Sequence, residues 1–163
     1  MNRTNQRILA ILGICLRSLC CQGPLTPSVP LQELLEAPLQ IEIDGRQYTL
    51  ETSLWRDFMP PSEPDGSPLT AVVYITAIDS LPFPAEVDSN RLWVVNHEKV
   101  WETGFSGESR PRDMVHPHQL TKWAAGGPKW DTGIQVEVVV RLTTLSRKAF
   151  LLRATKQTIG RTE

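Results

Sequence analysis

From Leu39 onward, apolar and polar residues alternate with the period of two that a half-buried strand requires, and turn residues cut the alternation into short pieces. The clearest unit is Leu39–Ile43, Asp44-Gly45, Arg46–Glu51. Asp-Gly tolerates the positive φ angles of a two-residue type I′ turn, and that turn sets a register. Ile43 then opposes Arg46, Ile41 opposes Tyr48 and Leu39 opposes Leu50 on an apolar face, while Gln40/Thr49 and Glu42/Gln47 share the wet face. The strand pattern continues through Leu54–Met59 and stops at Pro60–Pro68, a loop with a second Asp-Gly. Leu69–Ile78 is apolar or β-branched on both faces, as a central strand should be.

Arg91–Val95 and Val100–Thr103, flanking Asn96-His-Glu-Lys99, predict a second hairpin that places Trp93 opposite Glu102 and Val94 opposite Trp101. With Val94 and Trp101 turned to the core, Trp93 falls on the exposed side. Ile134–Leu142 is the longest alternating run, and Lys148–Ala154 pairs with it across Thr143–Ser146 as a third hairpin. Gly104–Gly133 shows no convincing strand. Within it, Pro117–Ala125 has helix signals: Pro near the start, Gly126-Gly127 at the stop, and Leu120, Trp123 and Ala124 at i, i+3 and i+4. The pattern predicts an all-β domain over residues 39–163, an antiparallel immunoglobulin-like β-sandwich of seven to eight strands with one short helix in a long connection.

The segment before Leu39 reads differently. Arg3 and Arg7 precede the apolar run Ile8–Leu16, which is less than half of the ~20 residues a membrane-crossing helix needs, so residues 1–21 are read as an export signal peptide. Residues 22–38 hold Pro24, Pro27, Pro30 and Pro38 and are read as a Pro-rich linker, within which Leu31–Ala37 has the spacing of one short amphipathic turn. All three cysteines, Cys15, Cys20 and Cys21, belong to the signal region. A disulfide framework, a thiolate metal site and a cysteine nucleophile are thereby excluded from the domain. Small residues near Cys20 suit cleavage, and a Cys before a Pro-rich tether suits acylation of Cys20 or Cys21. Simple secretion and lipid anchoring both remain open, since the residues preceding each Cys depart from the usual lipobox. Either way the expected location is extracytoplasmic, periplasmic or secreted, with membrane contact only through such an anchor.

Charge narrows the partners. The net charge of -1 excludes a nucleic-acid binder that works through a broad basic surface, and loss of Arg3, Arg7 and Arg17 with the signal makes the remainder more acidic. Candidate chemistry is sparse. His116-Pro-His118 beside Asp113 is the one His/carboxylate cluster, with His97 or Glu98 as a further ligand if a metal-dependent enzyme were built there; the bland alternative is a pair of exposed loop histidines. Gly104-Phe-Ser-Gly107 lacks the spacing of a nucleophile elbow, and no cofactor motif is present. Arg56 suits a carboxylate or phosphate clamp, or a structural ion pair with an acid near the sandwich end, and the second reading is favoured. Among five tryptophans, Trp93, Trp123 and Trp130 are the candidates for sugar stacking in a carbohydrate-binding module, against core and docking roles.

Leu54–Pro60, Pro64-Asp-Gly66 before a long apolar strand, Trp130–Gly133 before Ile134–Val138, and Leu151–Ala154 together resemble segments of uncharacterised bacterial exported proteins with an immunoglobulin-like sandwich. The resemblance implies the fold and the export, and carries no catalytic residue with it. The expected function is an envelope-associated binding or structural module with no enzymatic activity and no cofactor, facing a protein or glycan partner.

Overall fold

The computed structural model describes residues 27–110 and 116–162. The expected signal segment, Cys20, Cys21 and Asp113 lie outside the described residues. In chain order the elements are α1 (Leu31–Glu36), β1 (Gln40–Ile43), β2 (Arg46–Asp57), β3 (Leu69–Ala77), β4 (Val87–Asn96), β5 (Lys99–Thr103), β6 (Gly107–Ser109), β7 (Gln119–Gly127), β8 (Gln135–Thr144) and β9 (Ala149–Thr162). The protein is mostly β, as the alternation predicts.

All three expected hairpins form, the first two in the register read from the sequence, except that Leu39 lies outside β1 and is exposed rather than paired with Leu50 on the apolar face. Asp44 and Gly45 take φ of 51° and 77°, and Ile41 pairs with Tyr48 and Ile43 with Arg46. Trp93 lies opposite Glu102 and Val94 opposite Trp101. β8 and β9 pair through Val140/Leu152 and Thr143/Ala149. The inward positions of all the longer strands converge on one core, with Tyr48, Leu50, Leu54, Val73, Ile75, Leu92, Val94, Leu120, Val138, Val140, Leu152 and Ile159 all buried in it.

The sheet connecting them is more continuous than a pair of antiparallel layers. Its order is β5-β4-β8-β9-β2-β3-β7-β6, with β1 flanking β2, and it curls into a half-barrel. One of its ladders is parallel: Leu54–Asp57 of β2 run alongside Ile159–Thr162 of β9. The long β9 serves two neighbours in turn, first β8 antiparallel and then β2. The change falls near Lys156, which has a φ of 55°, and near a register shift between Val136 and Val138 of β8. The count is nine strands among the described residues rather than seven or eight.

The helix expected at Pro117–Ala125 is instead β7. Its inward positions are Leu120, Lys122 and Ala124, so a lysine sits where the alternation calls for an apolar residue, and this masked the period of two. Lys122 is nearly buried and is held by Asp88 Oδ1 at 2.6 Å, Glu108 Oε2 at 2.9 Å and the Ser89 carbonyl at 2.6 Å. Arg110 reinforces the cluster by donating to Asp88 at 2.8 Å and Glu108 at 3.2 Å. These side chains join β4 to β6 and β7, the two margins of the curled sheet. Nearby, the Trp101 ring of β5 packs on Gly127 of β7, where an added Cβ would come within 2.8 Å of it.

The expected linker is also structured in part. Helix α1 lays Leu34 on the outer face of the sheet, against Trp93, Val95 and Val139, with Ala37 beside it. Ser28 fixes the approach by donating from its hydroxyl and amide to the Glu102 carboxylate at 2.6 and 2.7 Å, and Arg153 N donates to the Pro38 carbonyl. Trp93 is therefore fully buried, contrary to its expected exposure. The parity of the alternation is right, but α1 covers this part of the outer face.

Candidate functional site

Arg56 is the last inward position of β2 and, at 5% exposure, nearly inaccessible. Its Nε donates to the Ser67 carbonyl at 2.9 Å and its Nη1 to the carbonyls of Trp130 and Lys129 at 3.0 and 3.4 Å, while Nη2 donates to the Asp65 carbonyl. All four acceptors are main chain. These partners are carbonyls, where the sequence reading favoured an ion pair with an acid. One guanidinium thus ties the β2–β3 loop to the β7–β8 connection, which suits its planar array of donors.

The same two segments are tied again at the surface. Lys129 Nζ meets Glu63 Oε2 at 2.6 Å and Asp65 Oδ1 at 2.8 Å. The hydrogen bond from Lys129 holds the Asp65 carboxyl below its ordinary pKa, and the two carboxylates raise that of Lys129. The Phe58 ring packs against Gly66, whose φ of 78° and 2.6 Å clearance leave no room for a Cβ, and lies 3.7 Å from the Arg161 guanidinium.

Two open clefts adjoin on this frame. The first, of about 510 Å³, is lined by Arg56, Phe58, Asp65, Lys129, Asp131, Thr132 and Arg161. The second, of about 760 Å³, is lined by Asn96, His97, Lys99, Lys129, Trp130, Asp131, Ile134 and Gln135. Lys129 and Asp131 belong to both. Trp130 packs partly on the core and also lines the second cleft. Opposite it, the tight β4–β5 turn displays His97 at a φ of 54°.

The other sequence candidates do not converge here. Trp93 is buried beneath α1 and is no stacking platform. Trp123 is 39% exposed on the outer face of β7, its ring lying across Gly107, and it lines neither cleft. His116 and His118 face one another edge to face with centroids 6.0 Å apart. Their intended companion Asp113 lies outside the described residues, and among the described residues no group of three or more His, Cys, Asp or Glu is placed to hold a metal ion. His97 cannot complete a site with them. It sits beside the start of β8, and successive pairings place that end next to the start of β3, whereas His118 accepts from Ala77 at the far end of β3.

Of the cleft residues, Trp130 was singled out in the sequence as a stacking candidate, Arg56 as a clamp or structural ion pair and His97 as a further metal ligand, whereas Asn96, Lys99, Asp131 and Gln135 were not singled out. The available signal was the polar content of two separate connections, Asn96–Lys99 and Lys129–Gln135, with nothing in the sequence to say that they meet. In comparison with known proteins, the chain matches no protein-family model, no curated protein and no solved structure.

Proposed function

We propose that the protein is an exported, envelope-associated binding module with no catalysis of its own, and that its ligand site is the pair of adjoining clefts at the Arg56 end of the half-barrel. The observation that carries this reading is the rigid frame beneath them: Arg56 and Lys129 hold the two bordering segments together before any ligand arrives. Preorganisation of this kind lowers the entropic cost of binding. At about 510 and 760 Å³, the two clefts fall within the roughly 300–1,000 Å³ of small-molecule sites. The immunoglobulin-like description belongs to the same proposal, with β4, β5 and β8 as one layer, β1, β2, β3, β6 and β7 as the other, and β9 crossing between them.

Amide chemical-shift mapping of the isotope-labelled domain against a library of polar small molecules tests the site. Shifts concentrated in residues 96–99 and 129–135 are expected; hits scattered elsewhere, with these amides unmoved, remove it. Mass spectrometry of the full chain expressed in a bacterium tests the export. A processed or acylated N-terminus near Cys20 and Cys21 is expected, and an intact Met1 on cytoplasmic protein overturns it.

A further inference from the structure

The geometry points to a specific ligand class: we infer that the cleft between the β4–β5 turn and the β7–β8 connection is a saccharide-binding subsite with Trp130 as its stacking platform. This rests on the binding-module reading above and narrows it. Sugar recognition needs a flat aromatic surface for the C–H face of the ring and a rim of groups that donate to and accept from hydroxyls. Both are present.

Trp130 supplies the surface. Its side chain is partly buried against the core while the residue also lines the cleft, and its carbonyl is fixed by Arg56 Nη1 at 3.0 Å. A ring held in this way loses little freedom when a ligand stacks on it. Around it the cleft offers the Asp131 carboxylate, the Asn96 and Gln135 amides, the His97 imidazole and the Lys99 ammonium. Among the described residues the side chains of Asp131, His97 and Lys99 have no hydrogen-bonding or ion-pair partner, so their capacity is open to a ligand.

The charge arrangement favours an uncharged ligand over a phosphate. Lys129 is engaged by Glu63 and Asp65, Arg56 by four carbonyls, and the Arg161 guanidinium of the adjoining cleft lies over the Phe58 ring, so the strongest cations near the site already have partners. What remains in the second cleft is one ammonium and one carboxylate, with a His and two amides. Neutral hydroxyls can use all of these as donors or acceptors, whereas a polyanion would meet Asp131 at close range. The adjoining first cleft, sharing Lys129 and Asp131, gives room for a chain of more than one ring.

The test is isothermal calorimetry and amide-shift mapping of the folded protein with four probes: cellotetraose, maltotetraose, the tetramer of N-acetylglucosamine, and glycyl-glutamate as a charged non-sugar. At least one oligosaccharide is expected to bind in the millimolar range or better and to move residues 96–99 and 129–135. Trp130→Ala should weaken it about tenfold, equivalent to about 1.4 kcal/mol, and Trp123→Ala should leave it unchanged. Should Trp130→Ala not fold, Asp131→Ala at an exposed position gives the same reading and is also expected to weaken binding. Oligosaccharide binding indifferent to both Trp130 and Asp131 overturns the assignment. A response of these amides to glycyl-glutamate alone overturns the saccharide class while the binding module stands; silence toward all four probes overturns the saccharide class, and the wider polar library then decides the module.

Discussion

Lys122→Met removes the ammonium that joins the two margins of the sheet while keeping a flexible apolar stem of similar length. Three acceptors lose a donor: Asp88 and Glu108 at 2.6 and 2.9 Å, and the Ser89 carbonyl at 2.6 Å. A hydrogen bond to a charged group contributes about 1.5–3 kcal/mol, and a buried carbonyl left without a donor costs about 1–3 kcal/mol. The two carboxylate side chains are each 44% exposed, so water and Arg110 recover much of the ionic part. The net expected loss is about 2–3 kcal/mol at neutral pH, read by urea denaturation.

The pH dependence adds a second signature. Burial alone would raise the Asp88 pKa, but the Lys122 hydrogen bond, the Ser89 amide and Arg110 bring it below the ordinary carboxylate value; Glu108 is lowered chiefly by Lys122. Lowered folded-state values mean that the unfolded chain binds more protons in acid. The stabilisation is therefore present above about pH 4.5 and is lost as pH falls through the folded values. Lys122→Met should lose part of this acid slope. A variant as stable as the parent at neutral pH, with an unchanged slope between about pH 5 and pH 3, would refute the account of Lys122 as the closure of the sheet.

Trp93→Ala and Trp123→Ala should separate cleanly in the same denaturation assay: about 3–5 kcal/mol for the fully buried Trp93 and below about 1 kcal/mol for the exposed Trp123. Equal losses would contradict the docking of α1. Leu34→Ala, which empties the centre of the α1 contact, should cost about 2–3 kcal/mol and speed amide exchange in residues 31–37, because a six-residue helix has little stability of its own. Unaltered exchange there would mean that the helix is held by something other than Leu34. Arg56→Lys preserves the charge but cannot span four carbonyls, so a loss of about 2–4 kcal/mol is expected, with enhanced proteolysis in residues 60–68; wild-type stability would show that the guanidinium array is dispensable.

Local chemistry made the hairpins legible. Asp44-Gly45 dictates a turn geometry and hence a register, and the parity of Trp93 against Glu102 followed from the same logic. What escaped the sequence depended on contacts between distant segments. Lys122 disguised β7 because its partners Asp88 and Glu108 are on other strands, and a lysine at an inward position reads as polar until they are known. Trp93 was assigned to the correct face, but the cover for that face comes from Leu34, far away in a segment dense with prolines. The parallel ladder between β2 and β9 leaves no periodicity of its own, since Lys156-Gln-Thr-Ile-Gly-Arg-Thr162 carries few apolar positions. The site was the least legible part, because two polar connections acquire meaning only when Arg56 brings their neighbours together.

The double service of β9 also has a kinetic consequence. Asp57 and Thr162, joined at 2.9 Å, are 105 positions apart, and closing a loop of that length costs about 4 kcal/mol of chain entropy before the pairing returns anything. Until residues 159–162 arrive, one edge of the second half of β2 has no partner, open to slippage or to pairing with another molecule. Folding should therefore be slow, on the millisecond-to-second scale of domains rich in distant contacts, with the final strand acting as the latch that completes the sheet.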